Sequence, residues 1–140
     1  MVSLIIGHKG TGKTKVLVER VNSAVHSSNG NVVCVEKETK LTYDVNYRAR
    51  LVATDTFSIS GYDAFYGFLS GICAGDHDIT DIFVDATFRI AADRTPAALE
   101  AFLKKIDELS KISDTHFTFT VSTDLEDLPE SMFEFCEKLN

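Results

Sequence analysis

The sequence predicts an α/β fold: three layers around a mostly parallel central sheet of four or five strands. Three observations predict it. Short apolar runs of strand length alternate with amphipathic helical stretches along the whole chain. The runs Asn31-Val32-Val33-Cys34-Val35-Glu36 and Ile82-Phe83-Val84 are almost continuously apolar, as strands covered on both faces are. A glycine-rich segment joins the first apolar run to the first helical one. The 140 residues match the common size of one domain, and no linker or repeat divides them, so residues 1–140 read as a single unit.

Each element follows from local pattern. Leu4-Ile5-Ile6 is a short buried strand ended by Gly7. From Lys13 to Val25, the residues Val16, Leu17, Val21, Ala24 and Val25 recur at helical spacing, and the Ser27-to-Asn31 turn stops the helix. Asn31 to Glu36 is the second strand. Leu51 to Thr54 reads as a short strand and Phe57 to Ser60 as an extended segment. Ser60 or Asp63 is the expected cap of a helix bearing Phe65, Phe68, Leu69, Ile72 and Cys73, which exits at Gly75-Asp76. Ile82 to Val84 is a buried strand ending at Asp85. Thr95-Pro96 fits N-cap plus first helical position, and the helix runs to about Leu109. Phe117 to Ser122 is a strand. Leu128 to Leu139 reads as a last helix with Met132, Phe133, Phe135, Cys136 and Leu139. Tyr43 and Tyr47, four apart, read as neighbours on a helix face.

Composition narrows the function classes. Fourteen basic against 21 acidic residues give a net charge of −7, which argues against a general nucleic-acid binder. No apolar run is long enough to span a membrane, so no membrane insertion and a cytoplasmic location are expected. Cys34, Cys73 and Cys136 sit in apolar patterns without metal-ligand spacing and read as buried small hydrophobes. His8, His26, His77 and His116 form no i,i+4 pair that would hold zinc.

The chemistry lies in Gly7-His8-Lys9-Gly10-Thr11-Gly12-Lys13-Thr14, which fits G-x-x-x-x-G-K-[ST] at every fixed position. Glycines let the backbone curl so that successive N–H groups point inward at phosphates. The helix that follows adds its free N–H groups and positive dipole end. The Lys13 ammonium suits the β- and γ-phosphates, and the Thr14 hydroxyl suits Mg²⁺. His8, Lys9 and Thr11 are the variable positions of the loop, and Lys9 adds positive charge beside the phosphates. The expected ligands are therefore ATP and Mg²⁺.

On these residues the chain resembles P-loop NTPases, in a minimal form of the additional-strand class that includes RecA-like ATPases and thymidine kinases. The class implies a strand order near 4-1-3-2 or an extended version, with Phe117–Ser122 inserted between the strands of Ile5 and Val84. Asp81-Ile82-Phe83-Val84-Asp85 resembles the second motif of the class, whose aspartate, here Asp85, holds Mg²⁺ at a strand's carboxyl end. Many members place a glutamate next; here Ala86 and Thr87 follow. RecA-type proteins carry their catalytic glutamate just beyond the second strand, which points to Glu36 or Glu38 as general base. The polar residue at the tip of the inserted strand that senses the γ-phosphate corresponds best to Ser122, with Thr120 and Thr123 beside it. Arg48, Arg50, Arg89 and Arg94 are candidates to complete the site; Arg89 and Arg94, four and nine residues past the acidic strand, are the two expected to face nucleotide in the same subunit or, as an arginine finger does, in a neighbour.

The reading is an ATP·Mg-binding protein, a weak or partner-stimulated ATPase or nucleotide switch. The alternatives are a non-hydrolysing nucleotide-binding interaction module and a small-molecule kinase. A homo-oligomer or protein partner is expected because one domain shows no complete catalytic set. The aromatic-rich stretch 40–70 is a candidate partner surface or lid.

Overall fold

Period-two alternation decides which layer each strand residue joins. In the structure, a computed structural model that describes residues 2–140, the strands are β1 (Val2–Gly7), β2 (Asn31–Glu36), β3 (Arg50–Ala53), β4 (Ile79–Val84), β5 (His116–Ser122) and β6 (Cys136–Lys138). The helices are α1 (Lys13–Ser27), α2 (Tyr62–Gly75), α3 (Thr87–Ala91) and α4 (Pro96–Ser113). Leu4, Ile6, Val33, Val35, Ile82 and Val84 face α2, α3 and α4, where Phe65, Leu69, Leu99, Leu103 and Ile106 meet them. Their neighbours Ile5, Val32, Cys34 and Phe83 face α1, against Leu17 and Val21. Both faces of the central strands are thus buried, which is why these runs are apolar at nearly every position.

The sheet has six strands in the order β3-β2-β4-β5-β1-β6, and every neighbouring pair is parallel. β5 lies between β1 and β4, the position expected of the inserted strand. Between the two edge strands the order is β2-β4-β5-β1, which differs from the expected 4-1-3-2. The count also exceeds the four or five expected, because the C-terminal segment contributes a strand.

That segment is the largest departure from the sequence reading. Leu128–Leu139 is not a helix. It forms short 3₁₀ turns over Leu125–Asp127 and Glu130–Glu134, then β6 on the free edge of β1. Pro129 is the reason: it holds Leu128 extended, at φ −100° and ψ 141°. Met132 and Cys136 still reach the core, but from turns and a strand.

Smaller corrections have local causes. The stretch Phe57–Ser60 is not extended; a 3₁₀ turn covers Thr54–Phe57 and ends where Ser58 takes φ 57°. Neither Ser60 nor Asp63 caps α2, whose N-cap is Gly61 at φ 88°. Thr95 is the N-cap of α4, yet its hydroxyl makes no capping bond; Asp93 instead accepts from the Thr95 N–H at 2.8 Å. Tyr43 and Tyr47 lie in turns, almost fully exposed, while Leu41, Val45 and Ala49 of that loop pack beneath α1. α3 had no signal strong enough to mark it in the sequence. It is a single short helix begun by Ala86 at φ 63°.

Candidate functional site

The carboxyl ends of β1, β4 and β5 meet at one cleft of about 840 Å³, walled by residues 8–10 and 12–14, Asp85, Thr120 and Arg94. Residues 8–12 form a turn between β1 and α1. Gly10 and Gly12 adopt φ 88° and 86°, a region costly to side chains. A Cβ on Gly7 would stand 2.6 Å from Thr11 Oγ1, so this position is closed by contact and not by φ. The His8 carbonyl ties the loop together. It accepts from the Thr11 hydroxyl at 2.7 Å, the Thr11 N–H at 3.3 Å and the Lys13 ammonium at 2.7 Å.

α1 starts at Lys13 with no side-chain cap and no acidic residue in its first turn. Its first N–H groups therefore remain available to an anion. Lys13 is buried among the loop, and that burial lowers its pKa, with the charge of Asp85 opposing. Lys9 is exposed on the cleft wall, and His8 contacts Asp124 across it.

Asp85 stands one residue beyond β4, with its N–H on the Val35 carbonyl at 2.9 Å. Three elements converge on its carboxylate. The Thr14 hydroxyl of α1 lies 3.1 Å from both oxygens, and the Thr120 hydroxyl of β5 donates to Oδ1 at 2.8 Å. Thr120 in turn accepts from the Ala86 N–H at 2.7 Å. The sequence reading placed Ser122 ahead of Thr120 as the polar residue of this strand. Ser122 lines the cleft, but it is Thr120 that touches the acidic residue; the Ser122 carbonyl holds Arg94 at 2.8 Å. The alternation in His116-Phe117-Thr118-Phe119-Thr120-Val121-Ser122 was the available signal, since it turns the threonines away from the phenylalanine face.

The two candidate bases differ. Glu36 is buried, and its Oε1 accepts from the Lys40 N–H at 2.8 Å and the Leu41 N–H at 3.2 Å. Its Oε2 is buried without a partner. Burial is the chief cause that pushes its carboxyl above the ordinary range; the two N–H groups oppose, and the charge of Asp85 adds to the rise. Glu38 is ion-paired with Arg89 and lies 3.5 Å from Lys40, and the Arg89 bond foremost lowers its pKa. Both glutamates line a smaller cavity that also touches Thr14 and Asp85.

The arginines separate into two pairs. Arg94 stacks over Phe88 at 5.0 Å and lines the main cleft, as does Arg89. Arg48 and Arg50 lie at the other end of the sheet, away from the site. Among the described residues no group of three or more His, Cys, Asp or Glu side chains is arranged to hold a metal. Cys34, Cys73 and Cys136 are buried and free, and no described helix is long and apolar enough to cross a membrane.

The fold recurs among solved structures. The crystal structure of the flagellar accessory protein FlaH from Methanocaldococcus jannaschii is similar over 95% of this chain, with a TM-score of 0.55 and 15% sequence identity. The likeness is one of fold. The match spans 65% of the FlaH chain. No protein-family model matches the chain, and no curated protein matches it.

Proposed function

We propose that this protein binds ATP with Mg²⁺ in the main cleft and hydrolyses it slowly, or at a useful rate only with a partner, as a nucleotide-dependent switch. The observation that carries the reading is the meeting of Thr14 and Asp85 at 3.1 Å, directly below the curled 8–12 loop. A hydroxyl and a carboxylate from distant parts of the chain form the kind of oxygen pair that holds Mg²⁺ beside a triphosphate. The residues fit the ligand. Gly10 and Gly12 leave open space where other residues would carry Cβ, and the α1 N-terminus lacks a competing cap. Lys13, held on the His8 carbonyl, is the cation for the β- and γ-phosphates. Gly7, His8, Lys9 and Thr11 complete the loop. Mg²⁺, when bound, neutralises charge on the phosphate oxygens. Thr120 keeps Asp85 oriented by its hydrogen bond.

Glu36 is the better general base. Its raised pKa brings the carboxylate nearer the proton affinity that base catalysis favours, and Oε2 is uncommitted. Glu38 is held by Arg89, and Ser122 is the second polar group at the cleft rim. A second reading, a non-hydrolysing nucleotide-binding module, draws on the burial of Glu36, which limits how water reaches it.

Calorimetric titration with Mg·ATP, run beside a phosphate-release assay, separates these. Lys13→Ala should weaken ATP binding about tenfold to 100-fold, the loss of one or two charge-assisted hydrogen bonds. Asp85→Ala should weaken the Mg²⁺-dependent part of binding. Glu36→Gln should bind normally and lose turnover, whereas Glu38→Gln should keep both. Folded wild-type protein that takes up no nucleotide with Mg²⁺ present would overturn the proposal. Wild-type protein that binds nucleotide and shows no turnover would select the module.

A further inference from the structure

A second recess lies at the opposite end of the sheet from the cleft. It is a groove of about 540 Å³ between α2 and β3, near the starts of β2 and β4. Phe68 and Ile72 of α2, Val52 of β3 and Phe57 make its apolar walls. Phe57 is 54% exposed and its ring lies 6.0 Å from that of Phe68, so an aromatic pair stands open to solvent. Gly71 and Gly75 line the same groove, and a Cβ on either would meet nothing within 4 Å. Room therefore remains for another chain.

Two further features say what kind of chain. β3 ends the sheet, so one side of its backbone has no neighbouring strand. Such an edge offers N–H and C=O groups to an added strand. Arg48 and Arg50 are exposed at the groove mouth, and among the described residues neither guanidinium has an ion pair or hydrogen bond. Asp76 also lines the groove, its carboxylate taken up by the Asn31 amide and the Asp78 N–H, so the two unpaired arginines leave the groove net positive. In a chain of net charge −7 such a groove attracts an acidic ligand.

We propose that this groove docks an extended acidic segment of a partner protein, which adds beside β3. Alternate residues of the segment point into the groove. Large apolar ones meet Val52, Phe57, Phe68 and Ile72, and carboxylates meet Arg48 and Arg50. A second copy of this chain does not supply the segment. Its acidic stretch, residues 124–138, is folded over the far edge of the sheet, with Leu128, Met132 and Cys136 buried.

The probe is a fluorescein-labelled peptide of about twelve residues that alternates aspartate or glutamate with valine and phenylalanine, read by anisotropy against the folded full chain. Its control replaces every acidic residue by lysine. The acidic peptide should bind and the basic one should not. The double variant Arg48→Glu/Arg50→Glu, both at exposed positions, should weaken binding about tenfold or more through two lost ion pairs. Phe57→Ala should weaken it similarly, and both variants should keep the wild-type circular dichroism spectrum. Backbone amide shifts on titration should concentrate in 48–57 and 68–76. Equal binding of both peptides, no binding at millimolar peptide, or an unchanged affinity in the charge-reversed variant would overturn the proposal. So would sedimentation showing a dimer of the wild type that the double variant abolishes, which would assign the groove to a second copy. ATP affinity should be the same in wild type and variants, so the outcome is independent of the nucleotide site.

Discussion

At the scale of single residues, Glu36 and Thr120 make the sharpest tests. The folded protein holds the Glu36 proton more tightly than the unfolded chain does, because burial disfavours the carboxylate. The stability it lends is present below the unfolded pKa of about 4.3 and is lost as pH rises through the higher folded value. Glu38, Asp76 and Asp93 have lowered pKa values and act in the opposite sense, so the wild-type profile alone is ambiguous. The difference between wild type and Glu36→Gln isolates the term. Urea unfolding with EDTA, across a pH series, should show the variant gaining on the wild type as pH rises above about 4.3. Parallel stability curves would mean that Glu36 is solvated. Thr120 is buried and serves Asp85 and the Ala86 N–H together. Thr120→Val keeps the shape and strands both partners, which should cost about 1–3 kcal/mol in urea unfolding. Ser122→Ala, whose side chain has neither duty, should stay within about 0.5 kcal/mol. Equal costs would return the role to Ser122.

At the scale of elements, the C-terminal segment distinguishes structure from sequence pattern. Met132 is fully buried beside α4, whereas Phe133 is only partly buried. Met132→Ala should therefore cost about 2–5 kcal/mol in urea unfolding, and Phe133→Ala clearly less. An equal loss at both would favour a continuous helix over turns and a strand. The sequence marked apolar residues in this segment correctly and assigned them the wrong period. Helical spacing over 128–139 competes with Leu128-Pro129, and the proline decides the local backbone. β2 was legible to the residue because continuous β-branched and apolar residues end in turn signals on both sides. α1 and β4 were legible except at their ends, where fraying residues carry little pattern. Within the candidate site, Lys13, Thr14 and Asp85 were legible because the glycine-rich loop and a strand-end aspartate are local signals. The Thr120 contact was not: β5 was expected beside β4, but the choice of Thr120 over Ser122 depends on the register, which sets Phe119 opposite Val84 and so brings Thr120 to Asp85. The separation of Arg48 and Arg50 from the site likewise depends on β3 running parallel to β2 from the sheet's far end.

At the scale of the whole molecule, the sheet gathers the candidate site at one end and the basic groove at the other, so nucleotide affinity and peptide docking can be measured separately. An assembly partner, whether a second copy or another protein, is accessible to light scattering with and without Mg·ATP. The nucleotide reading itself has a global readout. A ligand that binds only the folded state adds RT ln(1 + [L]/Kd), about 2.7 kcal/mol when free ligand is 100 times Kd. For a domain near this size that corresponds to a rise in Tm of about 8 °C. Mg·ATP at that excess should produce such a rise, and a non-hydrolysable analogue should match it. EDTA should shrink the rise, because Thr14 and Asp85 would then contribute no metal bridge to the phosphates. AMP should give almost none, since it lacks the β- and γ-phosphates that Lys13 and the 8–12 loop are proposed to hold. Lys13→Ala should lose most of the ATP shift while its ligand-free Tm stays close to wild type, because Lys13 makes one hydrogen bond to the His8 carbonyl and Thr11 supplies two others. An ATP shift that survives both EDTA and Lys13→Ala would place the nucleotide somewhere other than this loop, and a folded wild type with no shift at millimolar Mg·ATP would remove the nucleotide altogether.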